Sequence, residues 1–409
     1  MGANHARAAA RQAAWALGAA LLVLGAAWRG ASAPTGAPSG ASAPVTALPA
    51  ANAVLERLPR GQASADRAMR EARERLRERP EDARLAALLA ERHLRRARVD
   101  GDPREAGRGL AILAPWASRA DAPADVLLLR AALGQHLHDF DGALADLDAL
   151  LRREPDDRRA LRLRASLLQT LGRLDEAADG CRRLAALDDG PDLVAQVCLA
   201  DLASLRGDRD AAPALAATLS RYPLAGSELA WVRLVLAEIA EREGRDADAE
   251  RLFVLAQQDA DSPYARVAYA DRLISDDRAS AARALLADAP ATDAVAVLHA
   301  IALRRLDDPA APAAAASLRE RFATAAVRGD GLHLREHARF ALDVEADAAR
   351  ALELARRNWD AQKEPADLLL LARAARAAGR DDALAPVRDF VAAHSIADRR
   401  LERVLGSAR

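Results

Sequence analysis

The chain has 409 residues, a formal net charge of -1, 51% hydrophobic and 29% charged residues, and only 3% aromatic residues. So even a charge balance gives no field that would collect nucleic acid. Nearly all the positive charge is arginine, with Lys363 the only lysine, and no basic stripe interleaved with aromatics emerges. The excess of Ala, Leu, Arg and Asp is helix-forming and leaves too little strand-forming content for a sheet. A single core rarely reaches this length, but a repeat array does.

Residues 1–33 have the layout of an export signal: a basic start at Arg7 and Arg11, an apolar run from Ala13 to Trp28, then small residues to Ala33. The run is shorter than the roughly 20 residues that span a bilayer comfortably, which favours a signal peptide over an N-terminal membrane anchor. Ala31-Ser32-Ala33 has the small-x-small form of a cleavage site, although Pro34 opposes cutting there, and a cut after Ala27 is the alternative. No cysteine follows the apolar run, so a lipid anchor is not expected. The expected location is periplasmic or secreted, with an inner-membrane tether facing the periplasm as the second reading. Residues 34–52 are rich in Ala, Pro, Ser and Gly and read as a flexible linker.

Helical periodicity occupies residues 53–409, broken by short turns. His138-Asp139-Phe140-Asp141-Gly142-Ala143 is echoed by Gly172-Arg173-Leu174-Asp175-Glu176-Ala177, and Gly172, Gly207, Gly244 and Gly379 each follow an apolar helix. A left-handed residue is needed there to reverse the chain between antiparallel helices. Alanines recur beyond these turns at Ala143, Ala177, Ala212 and Ala249, and prolines close units at Pro155, Pro191, Pro223 and Pro263. Two short helices cannot bury their own apolar faces, so neighbouring units must stack into a solenoid.

On these residues the chain resembles the tetratricopeptide repeat (TPR) family. In the units beginning near Ala124 and Arg158, Ala131 and Ala165 match the small eighth position, Ala143 and Ala177 the twentieth, and Pro155 the thirty-second. Leu127 and Leu161 replace the family's fourth-position tryptophan and Gly134 takes an eleventh position, so the repeats are divergent. The resemblance implies an all-α, right-handed superhelical solenoid of antiparallel helix pairs. Units can be placed from Pro80 to Pro115, from Ala124, from Arg158, and then over Leu193–Gly226, Ala230–Pro263, Tyr264–Pro290, Ala294–Arg328, Asp330–Glu364 and Pro365–His394. That makes about nine pairs, with Asp398–Leu405 as a capping helix. Around Pro309 and Pro312 the register is open, and a loop interrupting the array is one reading of Ala310–Ala316.

The first helix of each unit is expected to line a concave groove. The candidate groove residues are Arg159, Arg162 and Gln169, then Asp201, then Trp231 and Glu238. A mixed basic, apolar and acidic surface suits a protein or peptide partner. The same residues also fit the plain solvated face of amphipathic helices. With one lysine and asparagines only at Asn4, Asn52 and Asn358, a clamp for a C-terminal carboxylate is not expected.

His333-Leu334-Arg335-Glu336-His337 matches H-x-x-E-H, in which two histidines one helical turn apart hold zinc and the glutamate activates water. A third ligand in convincing context is missing. In the repeat register both histidines pack against a neighbouring helix, so no metal, no cofactor and no catalysis are expected. Cys181 and Cys198 fall on successive helices that should touch and allow a disulfide in an exported chain, with two separate buried thiols as the plainer reading. The function expected is a non-catalytic exported scaffold with a peptide-binding groove. A zinc-dependent hydrolase and a purely structural spacer are the alternatives.

Overall fold

The computed structural model describes residues 60–406 except 101, 118, 188–191, 221, 291 and 328–332. The expected export segment 1–33 and linker 34–52 lie outside the described residues. Among the described residues, α1 (Arg60–Glu78) is followed by nine helix pairs and a last helix. The first pairs are α2 (Ala83–Asp100) with α3 (Pro103–Ile112), α4 (Ala124–His136) with α5 (Phe140–Arg153), and α6 (Arg158–Thr170) with α7 (Leu174–Ala185). The middle pairs are α8 (Leu193–Leu205) with α9 (Ala211–Leu219), α10 (Ser227–Arg242) with α11 (Asp246–Asp259), and α12 (Pro263–Ser275) with α13 (Ala279–Leu286). The last are α14 (Asp293–Arg305) with α15 (Ala311–Val327), α16 (Leu334–Phe340) with α17 (Ala348–Ala361), and α18 (Pro365–Ala377) with α19 (Ala385–His394), followed by α20 (Arg399–Leu405). Among the described residues there is no strand. No helix among them is long and apolar enough to cross a membrane. Residues Ala311–Ala316 belong to helix α15, so the array continues there rather than breaking into a loop.

Small residues sit where the paired helices cross. Ala131, Ala143, Ala165, Ala177, Ala212 and Ala249 are all buried, and a Cβ on Gly134 would stand 3.2 Å from the carbonyl oxygen of Asp139. Leu133, Leu147, Leu167 and Phe253 fill the spaces between pairs, each leucine contributing about 1.5–3 kcal/mol by its removal from water. Aspartates stop the helices from fraying: Asp157, Asp192, Asp347 and Asp398 each accept backbone N–H bonds from the first turn that follows. Ion pairs recur at the repeat spacing, with Arg159 Nη1 2.6 Å from Asp125 and Arg158 Nη1 2.9 Å from Asp192, tying each first helix to the next unit.

The turn between paired helices uses one left-handed residue in unit after unit: His138, Gly172, Gly207, Gly244, Asp277, Asp307 and Gly379. Where that residue has a side chain the conformation is strained. Asp307 is exposed at φ 49°. Asp307→Gly is therefore expected to raise stability by about 1 kcal/mol, seen as a higher urea midpoint; an unchanged or lower midpoint would show that the aspartate is not strained.

The array does not stay open along its length. The backbone N–H of Lys363 donates to Thr170 O at 2.7 Å, and that of Ala397 donates to Leu205 O at 2.8 Å. Arg400 on α20 reaches Glu241 on α10 at 2.6 Å. Phe390 and Ile396 pack against both the apolar core of the first units and that of the last. Gly172 has no room for a side chain at this seam, since a Cβ would lie 2.9 Å from both Lys363 Cβ and Phe390. The superhelix thus curls until its last units close against the turns of the units near its middle.

Candidate functional site: a lumen and a groove

That closure divides the concave face into two compartments. The first helices α8, α10, α12, α14, α16 and α18, with Gln169 of α6 and the last helix α20, line a partly open lumen of about 510 Å³. Toward the N-terminus, α1, α2, α4 and α6 leave a groove of about 1010 Å³.

The lumen wall is a lattice of charges facing one another. Arg242 pairs with Asp201, and Arg339 bonds Asp271 at 2.8 Å and Asp343 at 2.7 Å. Arg335 bonds Asp367 at 2.6 Å and also holds Glu364, while Arg400 bridges Glu241 at 2.6 Å and Asp398 at 2.7 Å. Most of these side chains are half-buried or better, so the pairs are only partly screened by water. Among the described residues Glu238 and Glu336 differ in having no guanidinium bonded to them; Glu238 accepts only the Tyr264 hydroxyl at 3.2 Å. Burial pushes its carboxyl up to about 7; Arg242 opposes this, and the nearby Asp201 and Glu241 add to it. Burial likewise raises Glu241 above the usual carboxylate range.

The sign of the pH effect follows. The folded state favours protonated Glu238 where the unfolded chain, at 4.5, has lost the proton, so stability falls as pH rises from about 4.5 to about 7. Glu238→Gln, which mimics the protonated form, should be close to neutral at pH 4.5 and should stabilise by about 3 kcal/mol at pH 8. Urea titrations at the two pH values check this, and equal effects at both would remove the argument.

Of the six groove candidates, Gln169, Asp201 and Glu238 line the lumen, and Arg159 lines the N-terminal groove, where it is bonded to Asp125 and Asp157. Arg162 is buried against Asp192 and makes no part of either surface. Trp231, expected on an exposed face, is half-buried between the apolar clusters of successive units, packing beside Leu184, Val194 and Val232. Trp231 lies seven residues before Glu238 and so on the same side of α10, but at the helix's N-terminal end, where residues of the preceding pairs cover it. Cys181 and Cys198 are joined as a disulfide, with Cα atoms 6.3 Å apart, linking α7 to α8.

The H-x-x-E-H residues do not converge. His333 precedes α16 in a left-handed conformation, with Nδ1 3.9 Å from Asp293. His337 lies on the ring of Phe322, centroids 4.5 Å apart and nearly parallel, and burial lowers its pKa. Glu336 faces the lumen instead. Among the described residues no three His, Cys, Asp or Glu side chains gather as a metal would require.

Several lumen residues had no signal in the sequence. Tyr264, Arg335 and Arg339 sit on first helices of weakly matching units, and register alone would have found them had it been secure there. Arg400 meets Glu241 across 159 residues, which no local pattern encodes.

No family model matches this chain, and no curated protein matches it. Solved structures similar to it include a tetratricopeptide repeat protein from Parabacteroides merdae, at 16% identity and TM-score 0.48, covering 59% of this chain and 94% of that one. The APC/C hetero-tetramer Cut9-Hcn1 is similar at 14% identity and TM-score 0.38, over 82% of this chain and 84% of that one. An IFIT1 monomeric mutant with Gppp-AAAA is similar at 13% identity and TM-score 0.34, over 82% and 75%. The repeat fold stands on this chain's own stacked pairs.

Proposed function

We propose that this protein is a non-catalytic docking scaffold of an oxidising compartment, and that its N-terminal groove takes an amphipathic peptide segment carrying an acidic side chain. The observation that carries the reading is the groove's floor. Leu88 is 57% exposed there, beside the half-buried Leu85, Leu128 and Leu129, a stretch of apolar surface that a peptide would cover. Beside it Arg98 is half-buried and bonded to no acid among the described residues, and desolvation lowers its pKa to about 10. A guanidinium held out of water without a counter-ion asks for a carboxylate from outside. Export is supported by the basic, apolar and small-residue layout of 1–33 and by the Cys181–Cys198 bond, since such bonds persist where thiols are not kept reduced.

Selection from a displayed random peptide library tests the docking. Enriched peptides should place an acidic residue among apolar ones at helical spacing. Their affinity should drop by roughly tenfold or more on Leu88→Glu and on Arg98→Met, while Glu238→Gln leaves it unchanged. Failure to enrich, or enriched peptides that ignore both groove variants, would refute the assignment.

A further inference from the structure

The lumen shares no lining residue with the N-terminal groove, and its chemistry is different. We propose that it binds a small zwitterion bearing both an ammonium and a carboxylate, of the free amino-acid class. Its volume, about 510 Å³, lies within the range of small-ligand pockets. Most charges in its wall are spent on one another, as Arg242 is on Asp201 and Arg400 on Glu241 and Asp398. Three are not. Glu238 accepts only a phenol O–H, and Glu336 has no ion pair or hydrogen bond among the described residues. Lys363, the sole lysine of the chain, reaches no carboxylate among them and has its Nζ 5.6 Å from the centre of the Trp359 ring.

Groups of both signs lining one partly open lumen have no ion pair within the protein among the described residues, and a ligand of opposite polarity would complete them. A diamine would satisfy Glu238 and Glu336 but set a cation against Lys363. A dicarboxylate would do the reverse. A zwitterion answers both, its ammonium toward the glutamates and its carboxylate toward Lys363, while Val235, Val267 and Leu298 in the same wall leave apolar room for a side chain.

The test is equilibrium dialysis of the full chain against an equimolar mixture of the standard amino acids, with putrescine and succinate in parallel cells, followed by chromatographic analysis of what is retained. Stoichiometric retention of one or a few amino acids, without putrescine or succinate, is expected. Lys363→Met and Glu336→Gln should each weaken it by roughly tenfold or more, the scale of one lost charged contact. Circular dichroism of both variants confirms that the fold persists. Retention of no amino acid, equal retention by both folded variants, or putrescine or succinate held as well as any amino acid would each overturn the proposal.

Discussion

Replacing Arg335 with alanine is expected to lower folding stability by about 3–5 kcal/mol, the usual consequence of stranding one partner of a buried ion pair. Arg335 stands near the start of α16 and joins it to the entrance of α18 by two bonds to Asp367, at 2.6 and 2.8 Å, and one to Glu364. Asp367 is fully buried. It also accepts from Asn358 Nδ2 at 2.6 Å and from the backbone N–H of Glu364 at 2.9 Å. Without the guanidinium, a desolvated carboxylate would retain only those neutral donors. Desolvation already pushes Asp367 up and Arg335 is the main influence pulling it down, so in the variant its pKa should rise further. A carboxyl with a raised folded pKa weakens the fold as pH rises, so the deficit should be largest above neutrality and smaller near pH 5. Adding Asp367→Asn to Arg335→Ala should recover part of the loss by removing the stranded charge. Chemical denaturation of the single and double variants decides the matter; a single variant within about 1 kcal/mol of wild type would mean that water, not Arg335, compensates Asp367.

Reduction of the Cys181–Cys198 bond is the second large effect. The cysteines are 17 residues apart in sequence and close a loop across the junction of α7 and α8, so the chain-entropy relation gives a contribution of about 3 kcal/mol. Both cysteines are buried, at 1% and 6% exposure, inside the apolar cluster of the first units. The double variant Cys181→Ala and Cys198→Ala should therefore unfold at lower denaturant than the oxidised protein and lose its sensitivity to dithiothreitol. Should the wild-type transition be indifferent to the reductant, the bond would contribute nothing to stability, and the argument from it to an oxidising compartment would weaken as well.

How legible each part was depended on whether the signal is local. The echo of His138–Ala143 in Gly172–Ala177 is a local pattern, and the αL turn and the helix-crossing alanines it announced are where the pattern put them. Inward-facing positions were readable only in part: Gln169, Asp201 and Glu238 line the interior, whereas Arg162, in one of the two clearest units, is buried against Asp192. Trp231 escaped because a half-buried aromatic at a junction and an exposed one in a groove look alike in sequence. They differ only in what the preceding pairs cover at that end of α10. H-x-x-E-H failed for a related reason: the spacing presumes a helix through both histidines, whereas His333 lies outside α16 and His337 is taken up by Phe322.

The all-helical stacked architecture needed nothing beyond the chain's periodicity, because helices too short to bury their own apolar faces have no stable option except to lean on their neighbours. Whether the concave surface is open or enclosed was beyond that logic. It rests on small rotations between pairs, summed until Lys363 meets Thr170, Ala397 meets Leu205 and Arg400 meets Glu241, contacts between segments more than 150 residues apart. Curvature accumulated over many units is a property of the assembled coil, so the lumen, its charge lattice and its separation from the N-terminal groove became visible only in three dimensions.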